Sequence, residues 1–365
     1  MIQAAASVGL SLLLLAATRP AARKVQPVSI SFAGDVTLGY HYEEYFDEQL
    51  KAGRTREDLL AHGFAKVKAT AKQADLFVVN LECPFTARGE KIPKNFNFRA
   101  RPELIGALTE GGVDVVSLAN NHLMDYGVEG LADTLNALDA AKIVHFGAGR
   151  SLAEARRPAI IERRGIKLAF LGYFFLGDRN IEPAEVIATA QTPGVAGHRS
   201  DVAALQKMVE EDIALAKSQA DLVIPFFHWG REGQHTPEPY QVQLAHAAIE
   251  AGAAAVVGSH PHVLQGMELY RQAPVLYSLG NFVFGGNWDP KDKETALVQL
   301  KFSPAGFLAS KIFPARSDSY PEVPLQPSLL EGEPAQQLLR HLSVYSQGFG
   351  QRLPPLSRVP GDGGT

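Results

Sequence analysis

The sequence predicts an α/β protein. Short β-rich runs alternate with amphipathic stretches over most of its length, and several of those runs are apolar without a break, as strands covered on both faces are. The composition agrees, because 46% apolar and 20% charged residues is a globular balance that excludes wholesale disorder, collagen and coiled coil. A chain of 365 residues has room for a large buried core.

The first element is the apolar run VGLSLLLLAA at 8–17, which has the length of a signal-peptide core and is short for a bilayer span. Arg19, Arg23 and Lys24 follow it rather than precede it. Residues 1–25 therefore read as a signal peptide or an N-terminal anchor, and the rest as extracytoplasmic: secreted, periplasmic or membrane-tethered. Strands are expected at 28–33, 76–80, 113–118, 143–146, 167–172, 222–227 and 254–257, then at 275–278, 296–302 and 308–313. The clearest helix places Val202, Leu205, Val209, Ile213 and Ala216 at spacings of three and four behind a Ser200 N-cap. Further helices are expected at 102–110, 128–140 and 238–251. These elements form one domain over 26–316. From 317 to 365 a loosely attached, Pro-rich extension follows, with one helical patch at 336–345.

Charge and cysteine narrow the function classes. The 35 Lys and Arg against 39 Asp and Glu give a net charge of −4, which offers nucleic acid no electrostatic footing. Cys83 stands alone, so no intrachain disulfide and no Cys-x-x-Cys site can form. No GxxxxGK[ST] loop is present for nucleotide-driven ligation.

The polar residues at the strand ends carry the chemistry. Asp35 follows the first strand in AGDVTLG, Glu82 the second in VVNLECP, and Asn121 and His122 the third in SLANNHLMDYG. His228 follows LVIPFF, and His260 and His262 follow AAVVGS. Ligands gather outside the carboxyl ends of strands in open α/β sheets. Taken singly, Asp35 reads as a cap, Asn120 and Asn121 as turn formers, and His228 as a half-buried histidine; their joint occurrence is what points to a site. Carboxylate, amide oxygen and imidazole suit Mn, Fe or Zn, and the lack of thiolates argues against structural zinc. The number of donors suits two divalent ions about 3.5–4 Å apart, with Glu82 as the bridging carboxylate.

The segments AGDVTLG, NLECPFT, ANNHLMDYG, FHWGREGQ, GSHPHVLQ and YSLGNFVF resemble, in order, the motifs of the CapA-type capsule-synthesis proteins associated with poly-γ-glutamate. That family is similar in fold to the calcineurin-like metallophosphoesterases, so the resemblance implies a β-sandwich flanked by helices. It covers roughly residues 28–284. By resemblance, Asp35, Glu82, Asn121, His228, His260 and His262 are metal ligands, and His122 is the histidine that serves the reacting group. One position departs from the pattern: Thr37 stands where the superfamily has a histidine, with His41 as the nearest replacement.

Between two of these motifs, Arg88, Lys91, Lys94, Arg99 and Arg101 face only Glu90. The loop reads either as a capture site for phosphate or polycarboxylate through Lys91, Lys94 and Arg99, or as a solvated basic surface. The functional expectation is an exported metal-dependent hydrolase linked to capsule or poly-γ-glutamate biosynthesis. Its partners would be an anionic substrate or polymer and membrane-associated capsule machinery. The alternative is a non-catalytic, metal-containing component for polymer binding or export.

Overall fold

The computed structural model describes residues 25–319, 321 and 325–350; the apolar leader at 8–17 lies outside them. The chain opens with β1 (Val28–Thr37), followed by α1 (His41–Lys51), α2 (Arg56–His62) and α3 (Lys68–Ala71). Then come β2 (Leu76–Leu81), α4 (Ile105–Gly111), β3 (Val115–Ser117), α5 (Gly127–Ala141), β4 (Val144–Phe146) and β5 (Ala148–Gly149). The middle holds α6 (Leu152–Ala155), β6 (Ala159–Arg163), β7 (Ile166–Phe175), β8 (Gly194–Val195), α7 (Val202–Lys217), β9 (Leu222–Trp229) and α8 (Pro239–Glu250). The last part holds β10 (Val256–Ser259), β11 (Met267–Tyr270), β12 (Ala273–Leu276), β13 (Asn281–Phe284), β14 (Glu294–Ser303), β15 (Gly306–Ser317), β16 (Pro327–Leu329) and α9 (Gly332–Tyr345).

Two sheets stack face to face with helices outside. The first has eight strands in the order β16-β15-β14-β1-β2-β3-β4, with β13 also on β1; the second has six, in the order β11-β12-β10-β9-β7-β6. The strands β1 to β4 run parallel, as do β7, β9, β10 and β12, with antiparallel strands at the edges. Alternation along each strand builds three apolar layers. Ile30, Phe32, Leu76 and Val78 meet Leu168, Phe170, Ile224 and Phe226 between the sheets. Phe77 and Val79 face the other way, onto Leu104, Leu108, Leu131 and Leu135 of the outer helices. Leu171, Tyr173, Val223 and Phe227 pack on Leu205, Val209, Leu244 and Ala248 of α7 and α8. The sandwich flanked by helices is the arrangement expected from the sequence.

Local chemistry sets the helix ends. Thr55 caps α2 by accepting from the Asp58 amide at 3.1 Å. The cap of α7 is Asp201, which accepts from the Ala204 amide at 2.9 Å, and not Ser200 as expected. In α8, Glu238 and Gln241 cap each other's backbone ahead of Pro239.

The extension is also firmer than expected. Strand β16 joins β15, Leu338 and Leu342 of α9 enter the apolar layer between the sheets, and Ser346 Oγ accepts the Met267 amide at 2.9 Å. The helical patch begins four residues earlier than its hydrophobic pattern, because Gly332 to Ala335 lie on the first turn of the same helix. No helix among the described residues is long and apolar enough to cross a membrane.

Candidate metal centre

The site lies where β1, β2 and β3 of the first sheet meet β9 and β10 of the second. In β1 the register breaks between Phe32 and Asp35 as the strand changes partner from β14 to β13. Gly34 makes that change possible: a Cβ there would stand 1.8 Å from the Gly280 oxygen. The Asp35 amide then donates to that oxygen at 2.9 Å, and the carboxylate is delivered to the pocket with no exposed surface. Glu82 follows β2 directly and is equally buried. Its backbone oxygen accepts from the Thr37 hydroxyl at 3.1 Å. Thr37 therefore supports the chain beneath Glu82.

Asn120 opens the next turn. Its Oδ1 accepts from the amides of His122 and Leu123 at 3.0 and 3.1 Å, while its Nδ2 donates to Leu81 O at 2.7 Å. This is the turn-forming role that the residue type suggested, and it presents Asn121 and His122 to the pocket. His228 is the penultimate residue of β9, and His260 and His262 follow β10 with φ of 96° and 58°, a costly conformation for non-glycine residues.

Six residues singled out from the sequence thus converge. Asp35, Glu82 and His228 have ligand atoms within 4.8 Å of one another, and so do Glu82, His260 and His262. Glu82 belongs to both groups. His228 Nε2 is met at 2.9 Å by Asn121 Oδ1, at 3.0 Å by His260 Nδ1 and at 3.6 Å by Glu82 Oε1. One proton cannot satisfy three lone pairs, and Glu82 Oε1 has no hydrogen-bond donor at all. This lone-pair-rich, buried arrangement fits a divalent cation. His41 belongs to neither group; its Nδ1 donates to Glu44 at 2.7 Å.

Comparison with known proteins places the chain. The family profile "Bacterial capsule synthesis protein PGA_cap" matches residues 29–286. The capsule biosynthesis protein CapA of Bacillus anthracis is 32% identical over 325 residues, covering 88% of this chain and 75% of that protein. The chain belongs to the PGA_cap family. The PGA biosynthesis protein CapA of Bacillus subtilis (strain 168) is 33% identical over 282 residues, 76% of this chain and 69% of that one. Among solved structures, a Mycoplasma pneumoniae phosphatase aligns with a TM-score of 0.48 at 14% identity, over 81% of this chain and 96% of its own. The PGA_cap span contains every residue of the cluster and ends before β14, so β14, β15, β16 and α9 lie beyond the matched residues.

Burial sets the electrostatics of this PGA_cap site. It drives the Glu82 carboxyl well above its ordinary range, and the neighbouring Asp35 adds to the shift. Burial likewise holds His228 and His260 well below the usual imidazole value, helped by the adjacent histidines, so both are neutral lone-pair donors. Burial would lower His262 too, but the facing carboxylates of Glu82 and Asp35 outweigh it and carry the group up to about 10. His122 is lowered by burial against the opposing pull of Asp125. Its Nδ1 donates to Asp125 Oδ2 at 2.7 Å and its ring stacks on Phe98 at 4.1 Å, which leaves Nε2 as the nitrogen outside that bond.

The basic loop divides. Lys94 reaches the site, but its ammonium is enclosed by Asn121 O at 2.8 Å, Asp125 Oδ1 at 2.8 Å and Glu182 Oε2 at 2.9 Å. Expected to receive an anion, its buried ammonium instead donates to Asn121 O and is ion-paired with two carboxylates of the chain itself. Arg88 pairs with Asp133, and Arg101 with Glu43 and Asp47. Lys91 and Arg99 are exposed, Arg99 lying 4.3 Å over the Tyr126 ring.

Several supporting residues went unread in the sequence. Asn80 donates to Asp35 Oδ1 at 2.9 Å and to Glu82 Oε2 at 3.2 Å; Ser259 lies 3.0 Å from His228 Nδ1; Asn281 Oδ1 accepts from His262 Nδ1 at 2.9 Å. Asn80 and Asn281 stand inside segments already noted, VVNLECP and YSLGNFVF, as polar residues at strand ends. Glu182 had no such signal.

Proposed function

We propose that this protein is an exported, metal-dependent hydrolase of the phosphoesterase type, acting on an anionic substrate in capsule or poly-γ-glutamate biosynthesis. The observation that carries the reading is Glu82, a buried carboxylate common to two groups of ligand atoms and left with one oxygen unpartnered. Asp35, Glu82, Asn121, His228, His260 and His262 would hold the metal, two ions of manganese, iron or zinc type. Bound there, the ions supply charge neutralisation for a phosphoryl group and make water a stronger acid. His122, fixed in one tautomer by the Nδ1–H bond to Asp125, would present the Nε2 lone pair to the reacting group, taking up a proton there and passing it to the leaving group. Phe98 covers its ring and excludes water from that side. Lys91 and Arg99 remain exposed to steer a polyanion inward.

Thr37 favours a second reading. With its hydroxyl committed to Glu82 O, the first strand offers one ligand fewer, as in a metal-containing component that binds or exports polymer without turnover. Purified full chain assayed on an aryl phosphodiester with a series of divalent metals separates the two. Metal-dependent turnover that vanishes in Glu82→Gln supports the hydrolase. Bound metal without turnover in the wild-type protein supports the second reading.

A further inference from the structure

We infer that Glu182, on the loop after β7 and outside every motif noted in the sequence, is the positioning residue that decides which way the Asn121 amide faces. The inference rests on the metal reading of the site. Asn121 has an oxygen and a nitrogen of nearly equal size, and only the oxygen can bind a cation. Its Nδ2 donates to Glu182 Oε1 at 3.0 Å, and its Oδ1 consequently points to His228 Nε2 at 2.9 Å. A carboxylate accepts hydrogen bonds and cannot donate them. The amide turned the other way would set oxygen against oxygen at Glu182 and aim N–H groups at the lone pairs of the cluster.

Glu182 is itself fixed. Its second oxygen pairs with Lys94, its amide donates to Asn180 Oδ1 at 3.0 Å, and its side chain is only 11% exposed. Lys94 also holds the Asn121 backbone oxygen and the Asp125 partner of His122. One ammonium thus ties the orienting carboxylate, the ligand backbone and the His122 support into a single unit. The ligand's orientation is set from a loop far along the chain.

The test is calorimetric titration of metal-free full chain with manganese. Glu182→Gln keeps the shape but can donate as well as accept, so it no longer dictates the amide. Partners of this kind typically contribute 10–100-fold to metal affinity, and a loss of that size is expected in metal-free protein that still melts in one cooperative transition. Adding Asn121→Asp to Glu182→Gln should restore the affinity, since a carboxylate presents an oxygen in either orientation. Wild-type affinity in Glu182→Gln overturns the inference alone, as does a loss that Asn121→Asp fails to restore. A wild-type protein that takes up no manganese overturns the metal reading and this inference with it.

Discussion

Asn121 and His122 are neighbours with different partners, one facing His228 and the other Asp125, and their loss should be separable. Asn121→Ala is expected to lower bound metal, measured by elemental analysis. His122→Ala should keep its metal and lose about 10²–10⁴-fold in kcat, the usual contribution of a general acid. A similar contrast holds for two lysines three residues apart. Lys94→Gln breaks a buried ion network and should cost about 3–5 kcal/mol in denaturant unfolding. Lys91→Gln, on an exposed loop, should stay within about 0.5 kcal/mol. The sequence could not tell them apart, since a basic loop looks the same whether a side chain turns out to solvent or in toward acids from distant segments. The same limit hid Glu182, 61 residues from the amide it holds. The six positions of the cluster were legible because each closely follows an apolar run, a local signal.

Elements made of unbroken apolar runs were legible for the same reason: β2 and β9 are buried at every position. Helix α1 was not, because HYEEYFDEQLK buries only Tyr42, Tyr45 and Phe46 and surrounds them with acids. Strand β13 was missed because its four residues follow a glycine turn and read as loop. Close packing between elements yields a sharp test at Gly34. Gly34→Ala drives a methyl into the backbone of Gly280 and should destabilise by about 3 kcal/mol, the upper end of ordinary overpacking, in thermal or denaturant melts. Asp75 ties three elements, accepting from the Ser29 amide at 2.9 Å and pairing with Arg164 on the β6–β7 turn. Although burial alone would raise it, these partners hold its carboxyl below the usual value of 3.8. A depressed folded value stabilises above about pH 4 and is lost as pH falls through it. Asp75→Asn should therefore cost about 1–2 kcal/mol at pH 7, and the gap from wild type should narrow as pH falls below 3.8 in acid unfolding curves.

Across the whole molecule, the two covered sheets were legible from alternation, but the docking of the C-terminal segment was not. Its prolines suggest a loose tail, yet Leu338 and Leu342 fill apolar space beside Met267 and Leu269. Truncation before Leu330 should cost about 3–6 kcal/mol for those two side chains, seen as a lowered melting temperature with increased binding of an apolar dye. The run at 8–17 predicts that fractionation finds the protein outside the cytosol or on the membrane; full-length chain confined to the cytosol would refute export. The cluster also sits astride the join of the sandwich. Asp35, Glu82 and Asn121 hang from one sheet, and His228, His260 and His262 from the other. A slip of one residue between the sheets is about 3.3 Å, enough to carry half of the donors beyond reach of a shared ion. With an ion bound, the cluster would act as a vernier on the alignment of the two sheets. A cation held by both sets would rivet the halves against shear, and its affinity would report their sliding before any strand has frayed.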